Sequence, residues 1–211
     1  ADLAIACIEA GKSVLCEKPL GVSLDDAKRV LRAEVASGRR LVQIGLMRVY
    51  DPQHAALKRA IGEGAIGRPL LFRGVHRNLR RARTPSATDV IIEGGVHDIH
   101  SARWLMDDDV AAAYACHIID VPERPETTRL VLLQLTFRGG GLATIEVDRD
   151  SNYGYEVAVE VSGERGMLGT PSLTSPILYK EGTASRAVEV DWLERFETAY
   201  RLEAEAWVQA A

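Results

Sequence analysis

The spacing of apolar positions changes along this chain, and the change divides it into two parts. At the start, Leu3, Ile5, Ala6 and Ile8 recur at helical spacing with Gly11 beyond them, which predicts an amphipathic helix. Residues 13–16 form a short apolar run of the kind a buried parallel strand shows. Ser23 then caps a helix running to about Ser37, with Asp25 and Asp26 in its first turn and Gly38 after its end. Residues 41–45 read as the next strand, so helix and strand alternate over short connections, as in a doubly wound α/β sheet.

Beyond Gly45 the pattern differs. Pro52 opens a helix to about Gly64, a turn at Gly67-Arg68-Pro69 leads into a strand over 70–76, and residues 77–92 read as loop. Strand patterns then follow one another at 111–119, 128–137, 141–148 and 156–162 with no helix between them, which predicts a mostly antiparallel open sheet in a second domain of α+β type. Gly139-Gly140-Gly141 and Gly163-Glu164-Arg165-Gly166 read as hairpin turns, shorter strands are expected near 177–179 and 187–190, and an amphipathic helix runs from Leu193 to the end. The expected domains are 1–45 and 46–211.

Composition narrows the class. With 211 residues, 46% of them hydrophobic, the chain can bury a core, and a net charge of -4 offers no basic field for nucleic acid or an anionic membrane. Small molecules or proteins are the expected partners. Cys7, Cys16 and Cys116 are scattered and odd in number, which fits a reducing compartment, and the chain reads as cytoplasmic. No apolar run reaches the roughly 18 residues of a membrane helix.

The densest chemistry lies in Glu93-Gly94-Gly95-Val96-His97-Asp98-Ile99-His100. If the segment is helical from about Gly95, His97 and His100 share a face and Glu93 lies one turn before His97. Spacing alone leaves three readings: a solvated helix face, a divalent metal site, or a carboxylate and imidazole working as an acid/base pair. Lys18 follows a strand end, where ligands of open α/β sheets gather, and Pro19 biases it toward extended geometry. Arg77, Arg80, Arg81 and Arg83 form a basic stretch that suits either solvent or an acidic sugar or phosphate. His54 and His117 read as structural, Trp104, Leu105 and Met106 as core, and Asp107-Asp108-Asp109 as a solvated turn.

The segments AGKSVLCEKPLGVSLDDAKRVL, VQIGLMRVYDP, EGAIGRPLLFRGVHRN, EGGVHDIHSARWL and YGYEVAVEVSGERG, in this order, resemble the glucose-fructose oxidoreductase and inositol dehydrogenase family. QIGLMRVYDP and NYGYEV are most similar to its inositol 2-dehydrogenase branch. The resemblance implies an NAD(P)-binding Rossmann domain followed by a substrate domain whose open sheet serves as an oligomer interface. It also implies a GxGxxG loop, which this sequence lacks. Residues 1–45 therefore read as the last part of a Rossmann domain, with family segments expected before Ala1 and after Ala211.

Carried over by position, Lys18 matches the family lysine that contacts the reacting hydroxyl, and Glu17, Lys18 and Pro19 the motif beside the cofactor. His97 matches the general base, and Glu93 replaces the aspartate paired with it, one methylene longer. His100 stands where an aspartate often binds substrate hydroxyls, and His76 and Asn78 match substrate-site positions. Tyr153 or Tyr155 is expected to reach the pocket, Tyr153 being the first choice. Val49 replaces an arginine common in that branch. Its position downstream of Lys18, with His76 and Asn78 between, narrows the Glu93–His100 segment to a base, its carboxylate and a substrate contact, and the metal reading drops out.

The chemistry expected is transfer of a hydride from a secondary hydroxyl of a cyclic polyol or sugar to NAD or NADP, with His97 taking the hydroxyl proton and Lys18 stabilising the oxygen. Two other readings stand beside it. One is a non-catalytic ligand-binding or dimerisation module built on the same sheet. The other is an aldose or ketose oxidoreductase of the same family. A homo-oligomer is expected in either enzyme reading.

Overall fold

The computed structural model describes residues 1–79, 85–171 and 175–211. Arg80, Arg81 and Arg83 of the basic stretch lie outside them. Two compact units are formed, residues 1–51 with 198–211, and residues 52–197.

The first unit contains the α/β alternation. Helix α1 (Asp2–Glu9) and helix α2 (Leu24–Ser37) pack through Ala4, Ile8 and Val30 against Leu41. Ser23 Oγ accepts from the Asp26 N–H at 3.1 Å, and Gly38 ends α2 in the left-handed region at φ 67. Strands β1 (Val14–Glu17) and β2 (Val42–Gly45) run parallel, with Glu17 opposite Gly45. A Cβ on Gly45 would lie 3.0 Å from the Glu17 carboxylate, so the two strand ends lie close together. A 3-10 turn follows at Met47–Tyr50. Thr198–Ala211, read from sequence with the second domain, group with this unit. Glu203 there accepts from the Leu46 N–H just past β2.

The second unit is built on a six-stranded sheet. Helix α3 (Pro52–Gly62) leads to strand β3 (Pro69–Arg77). A continuous helical segment then comprises α4 (Ala87–Val90), a π-helical turn at Ile91–Gly95 and α5 (Val96–Met106). Strands β4 (Val110–His117), β5 (Leu130–Phe137), β6 (Leu142–Asp148), β7 (Glu156–Gly163) and β8 (Gly166–Gly169) complete the sheet in the order β4-β5-β6-β3-β7-β8. Only β3 and β6 pair in parallel; the other neighbours are antiparallel, and the sheet does not close.

Alternation along the strands gives the sheet two faces. Phe72 and His76 of β3, Leu133 and Leu135 of β5, Ile145 and Val147 of β6, and Val157 and Val159 of β7 are all buried on the inner face, against Leu57, Val90, Ala102 and Leu105. The outer face carries Tyr114, Leu132, Leu142 and Met167, exposed among polar residues.

Two expectations from sequence are corrected. The stretch read as loop to residue 92 is helical from Ala87, where Ser86 and Asp89 form a reciprocal capping box. Its first turn is too short to show an apolar period, so only the capping pair marks it. The strand expected at 187–190 is replaced by strand β10 (Thr183–Arg186), paired with β9 (Ile177–Lys180). Glu181 and Gly182, at φ 51 and 75, form the tight turn that starts β10 before residue 187. The last helix, α6, spans Trp192–Ala210.

Candidate active site

The candidate site in the second unit lies at one end of the sheet, where β3 and β6 finish and β7 begins. Because His76 continues the inner-face row of Phe72 and Gly74, strand alternation drives its imidazole into the interior, with Val147 and Val157 opposite on the two neighbouring strands. Apolar walls cannot satisfy two ring nitrogens, and the fold supplies a partner for each. The fully buried Asp98 carboxylate of α5 lies 2.9 Å from Nδ1, and the Tyr155 hydroxyl 3.3 Å from Nε2. The imidazole is thus clamped between a carboxylate at Nδ1 and a tyrosine hydroxyl at Nε2. The two rings meet edge-on at 5.7 Å between centroids, and Tyr155 meets Phe196 of α6 in the same way at 6.3 Å.

Asn78 lies two residues beyond His76 and is also buried. Its backbone is fully used, the N–H donating to Asp148 O and the carbonyl accepting from Ser151 N–H and Oγ. Its side-chain Nδ2 finds no acceptor among the described residues. A buried amide donor left over at the end of an apolar sheet suits a polar ligand.

Of the two glycines in the Glu93–His100 segment, Gly94 makes the closer approach to the sheet. A Cβ at Gly94 would sit 3.1 Å from a Val147 methyl and 3.5 Å from the His76 ring, and one at Gly95 would sit 3.5 Å from Leu133. The π turn therefore lies directly on the inner face, and it delivers His97 buried in the first turn of α5. Turns of this kind insert one residue into a helix and recur at functional sites. The sequence aims Glu93 at His97; the structure pairs it with Arg149 just past β6, whose Nη2 donates to Oε2 at 2.9 Å. His100, on the same helix, lines a surface cleft of about 450 Å³ with Arg103, Trp104 and Asp107–Asp109, and His76, Asn78 and His97 are not among its lining.

Of the tyrosine pair, Tyr155 joins His76, whereas the Tyr153 hydroxyl contacts Arg77 and Glu156. Gly154 between them, at φ 143, breaks the strand alternation that would have aimed both rings inward, and a side chain there would strike Val188 and Glu189. Asp98 and Arg149 were not picked out from sequence. Asp98 could have been, since it stands one residue from His97 inside the same motif. Nothing local marks Arg149.

In the first unit, Lys18 follows β1, half-buried, and its peptide bond to Pro19 is cis. Glu17 beside it has acidic company. Burial, then the Glu17 carboxylate, push the Glu203 carboxyl up to about 7, against the opposing Leu46 N–H. Burial and the same two carboxylates push the Tyr200 hydroxyl up to about 12, against the buried Arg48. Among the described residues, no group of three or more His, Cys, Asp or Glu side chains is arranged to hold a metal ion.

Comparison with known proteins agrees with this architecture. The inositol 2-dehydrogenase of Rubrobacter xylanophilus is 44% identical over 211 residues, covering 100% of the chain and 61% of that protein. Inositol 2-dehydrogenase 2 of Saccharopolyspora erythraea is 39% identical over 215 residues, with coverages of 99% and 62%. The crystal structure of myo-inositol dehydrogenase from Lactobacillus casei in complex with NAD(H) and myo-inositol superposes with a TM-score of 0.92 at 31% identity, covering 99% of the chain and 62% of that structure. The chain thus spans less than two thirds of the length of these relatives. Residues 1–46 match the oxidoreductase family with an NAD-binding Rossmann fold, and residues 54–169 match the GFO/IDH/MocA C-terminal domain. On both matches together, with the parallel pair that Lys18 follows and the open sheet that carries His76, the chain belongs to the GFO/IDH/MocA family of oxidoreductases.

Proposed function

We propose that this chain is part of an NAD(P)-dependent oxidoreductase that oxidises a secondary hydroxyl of a cyclic polyol, in the manner of an inositol 2-dehydrogenase. The observation that carries the reading is the pair of buried hydrogen-bonding side chains at the end of β3, His76 held by Asp98 and Asn78 with its amide donor unspent among the described residues. Fixed polar groups in an apolar wall are what a ligand with several hydroxyls requires.

In this reading His97 accepts the proton of the reacting hydroxyl and Glu93 orients the imidazole. His76 and Asn78 contact the remaining hydroxyls, Tyr155 joins them through its place beside His76, and His100 and Tyr153 are substrate contacts on the family resemblance alone. Lys18 stabilises negative charge on the oxygen as the proton leaves. Glu17, Lys18 and Pro19 fit a nicotinamide dinucleotide by position, since they end a strand of a parallel pair on the side where such cofactors lie. NAD, the form bound in the Lactobacillus casei structure, supplies a hydride acceptor when bound.

Residues 1–45 are proposed as the end of the cofactor domain and 46–211 as the substrate domain. The outer sheet face, with Tyr114, Leu132, Leu142 and Met167 exposed, supports a homo-oligomer formed through it. The free thiols of Cys7, Cys16 and Cys116 support a cytoplasmic location.

The test is a screen of inositols and common sugars with the full-length protein, following reduced-nicotinamide absorbance. Turnover of an inositol is expected, and His97→Ala and Lys18→Ala should each lower kcat by about 10²–10⁴-fold. Absence of turnover on every polyol, or wild-type rates in either variant, would overturn the reading.

A further inference from the structure

Arg149 is a buried arginine that pairs with a residue of the proposed catalytic set, Glu93. It follows β6 directly, its backbone N–H donates to Arg129 O at 2.8 Å, and it is 7% exposed. Burying a guanidinium is costly unless charge and hydrogen bonds compensate it. Glu93 provides that compensation, its Oε2 accepting from Nη2 at 2.9 Å. The two partners differ in setting, the arginine side chain being 8% exposed and the glutamate 54%. The pair therefore has a fixed, interior end and a carboxylate end that reaches the surface.

Local geometry explains why the pair forms. Glu93 sits in the π turn, where the helix is widened, and the next residue is a glycine. A Cβ on Gly94 would be 3.6 Å from Arg149 Nη1 and 3.5 Å from the His76 ring, so guanidinium and imidazole lie against the same bare backbone. A rigid sheet end thus holds Glu93 from one side while the helix holds it from the other.

We propose that Arg149 is a positioning residue: its buried guanidinium anchors the Glu93 carboxylate at the head of α5 in the orientation the reaction needs. The inference rests on the function proposed above and adds a residue to it. Lysine can supply the charge from this position but lacks the guanidinium fork, and methionine can fill the volume with neither.

The experiment uses the full-length protein with an inositol and NAD. Arg149→Met should lower kcat at least about tenfold with a smaller change in the inositol KM, and Arg149→Lys should recover part of the loss. In a Glu93→Gln background, Arg149→Met should add less than about twofold, because the group it positions is already gone. A kcat within about twofold of wild type in Arg149→Met, or losses that multiply in the double variant, would overturn the proposal. Should Arg149→Met not fold, the same comparison is made with Arg149→Lys, and the same two outcomes decide.

Thermal unfolding of the same four proteins provides a readout without turnover. Coupling between positions 93 and 149 in Tm supports the anchor, and additive shifts overturn it. If the wild-type protein oxidises no polyol while that coupling is present, the function proposed above fails and the anchor stands.

Discussion

Asp98 and His76 form a buried carboxylate–imidazole pair, Oδ2 to Nδ1 at 2.9 Å, that joins the head of helix α5 to the end of strand β3. Removing the carboxylate takes away the 2.9 Å partner of a buried ring nitrogen. Asp98→Ala is expected to destabilise the fold by about 1–3 kcal/mol, and Asp98→Asn, which keeps an acceptor oxygen, by less. Urea unfolding checks both. A loss under about 0.5 kcal/mol in the alanine variant would mean that the pair holds nothing in place.

Tyr155 supplies the other end of that network. Tyr155→Phe removes a buried hydroxyl from His76 Nε2 and should cost about 0.5–1.5 kcal/mol. Tyr153→Phe, whose ring is 46% exposed, should cost less. Substrate KM measured on both variants tells which tyrosine the ligand meets. A shift confined to Tyr153→Phe would return the inner role to Tyr153.

Gly94 lets the π turn lie on the sheet. Gly94→Ala places a methyl 3.1 Å from Val147, which must give by a few tenths of an ångström, and in ordinary contact with the His76 ring at 3.5 Å. A destabilisation of about 1–3 kcal/mol is expected from the overpacking, measured by denaturant midpoint. Wild-type stability would show that the turn has slack there.

Glu203 makes stability depend on pH with an unusual sign for a carboxyl. Its folded value is pushed up to about 7 from an ordinary 4.5, so the folded state binds the proton more tightly than the unfolded chain. The contribution is fully present below pH 4.5 and is lost as pH rises through about 7. Glu203→Gln should flatten this slope and be more stable than wild type above neutrality. Equal slopes in the two proteins, from urea midpoints across the range, would refute the assignment.

Much of the molecule is written locally. The capping of α2 by Ser23 and Gly38, the alternation of β5 to β7 and the glycine turns between strands follow from side-chain period and backbone freedom, which neighbouring residues alone determine. The Glu93–His100 segment and Lys18 stand out for the same reason, as chemistry concentrated in short motifs. The capping pair Ser86 and Asp89 was also legible, yet the helix it opens was too short for a periodic signal.

Partnerships across distant segments are another matter. That Asp98 serves His76, that Tyr155 faces inward while Tyr153 does not, and that Arg149 takes Glu93 depend on which strand ends meet which helix. A one-residue change in register would exchange the faces of the sheet and dissolve all three. The sequence by itself determined the elements, the family and the residue types at the site. Tertiary structure alone decided their pairings, because hydrogen bonds between residues 22, 79 and 56 positions apart exist only once β3, β6 and β7 are packed against α5.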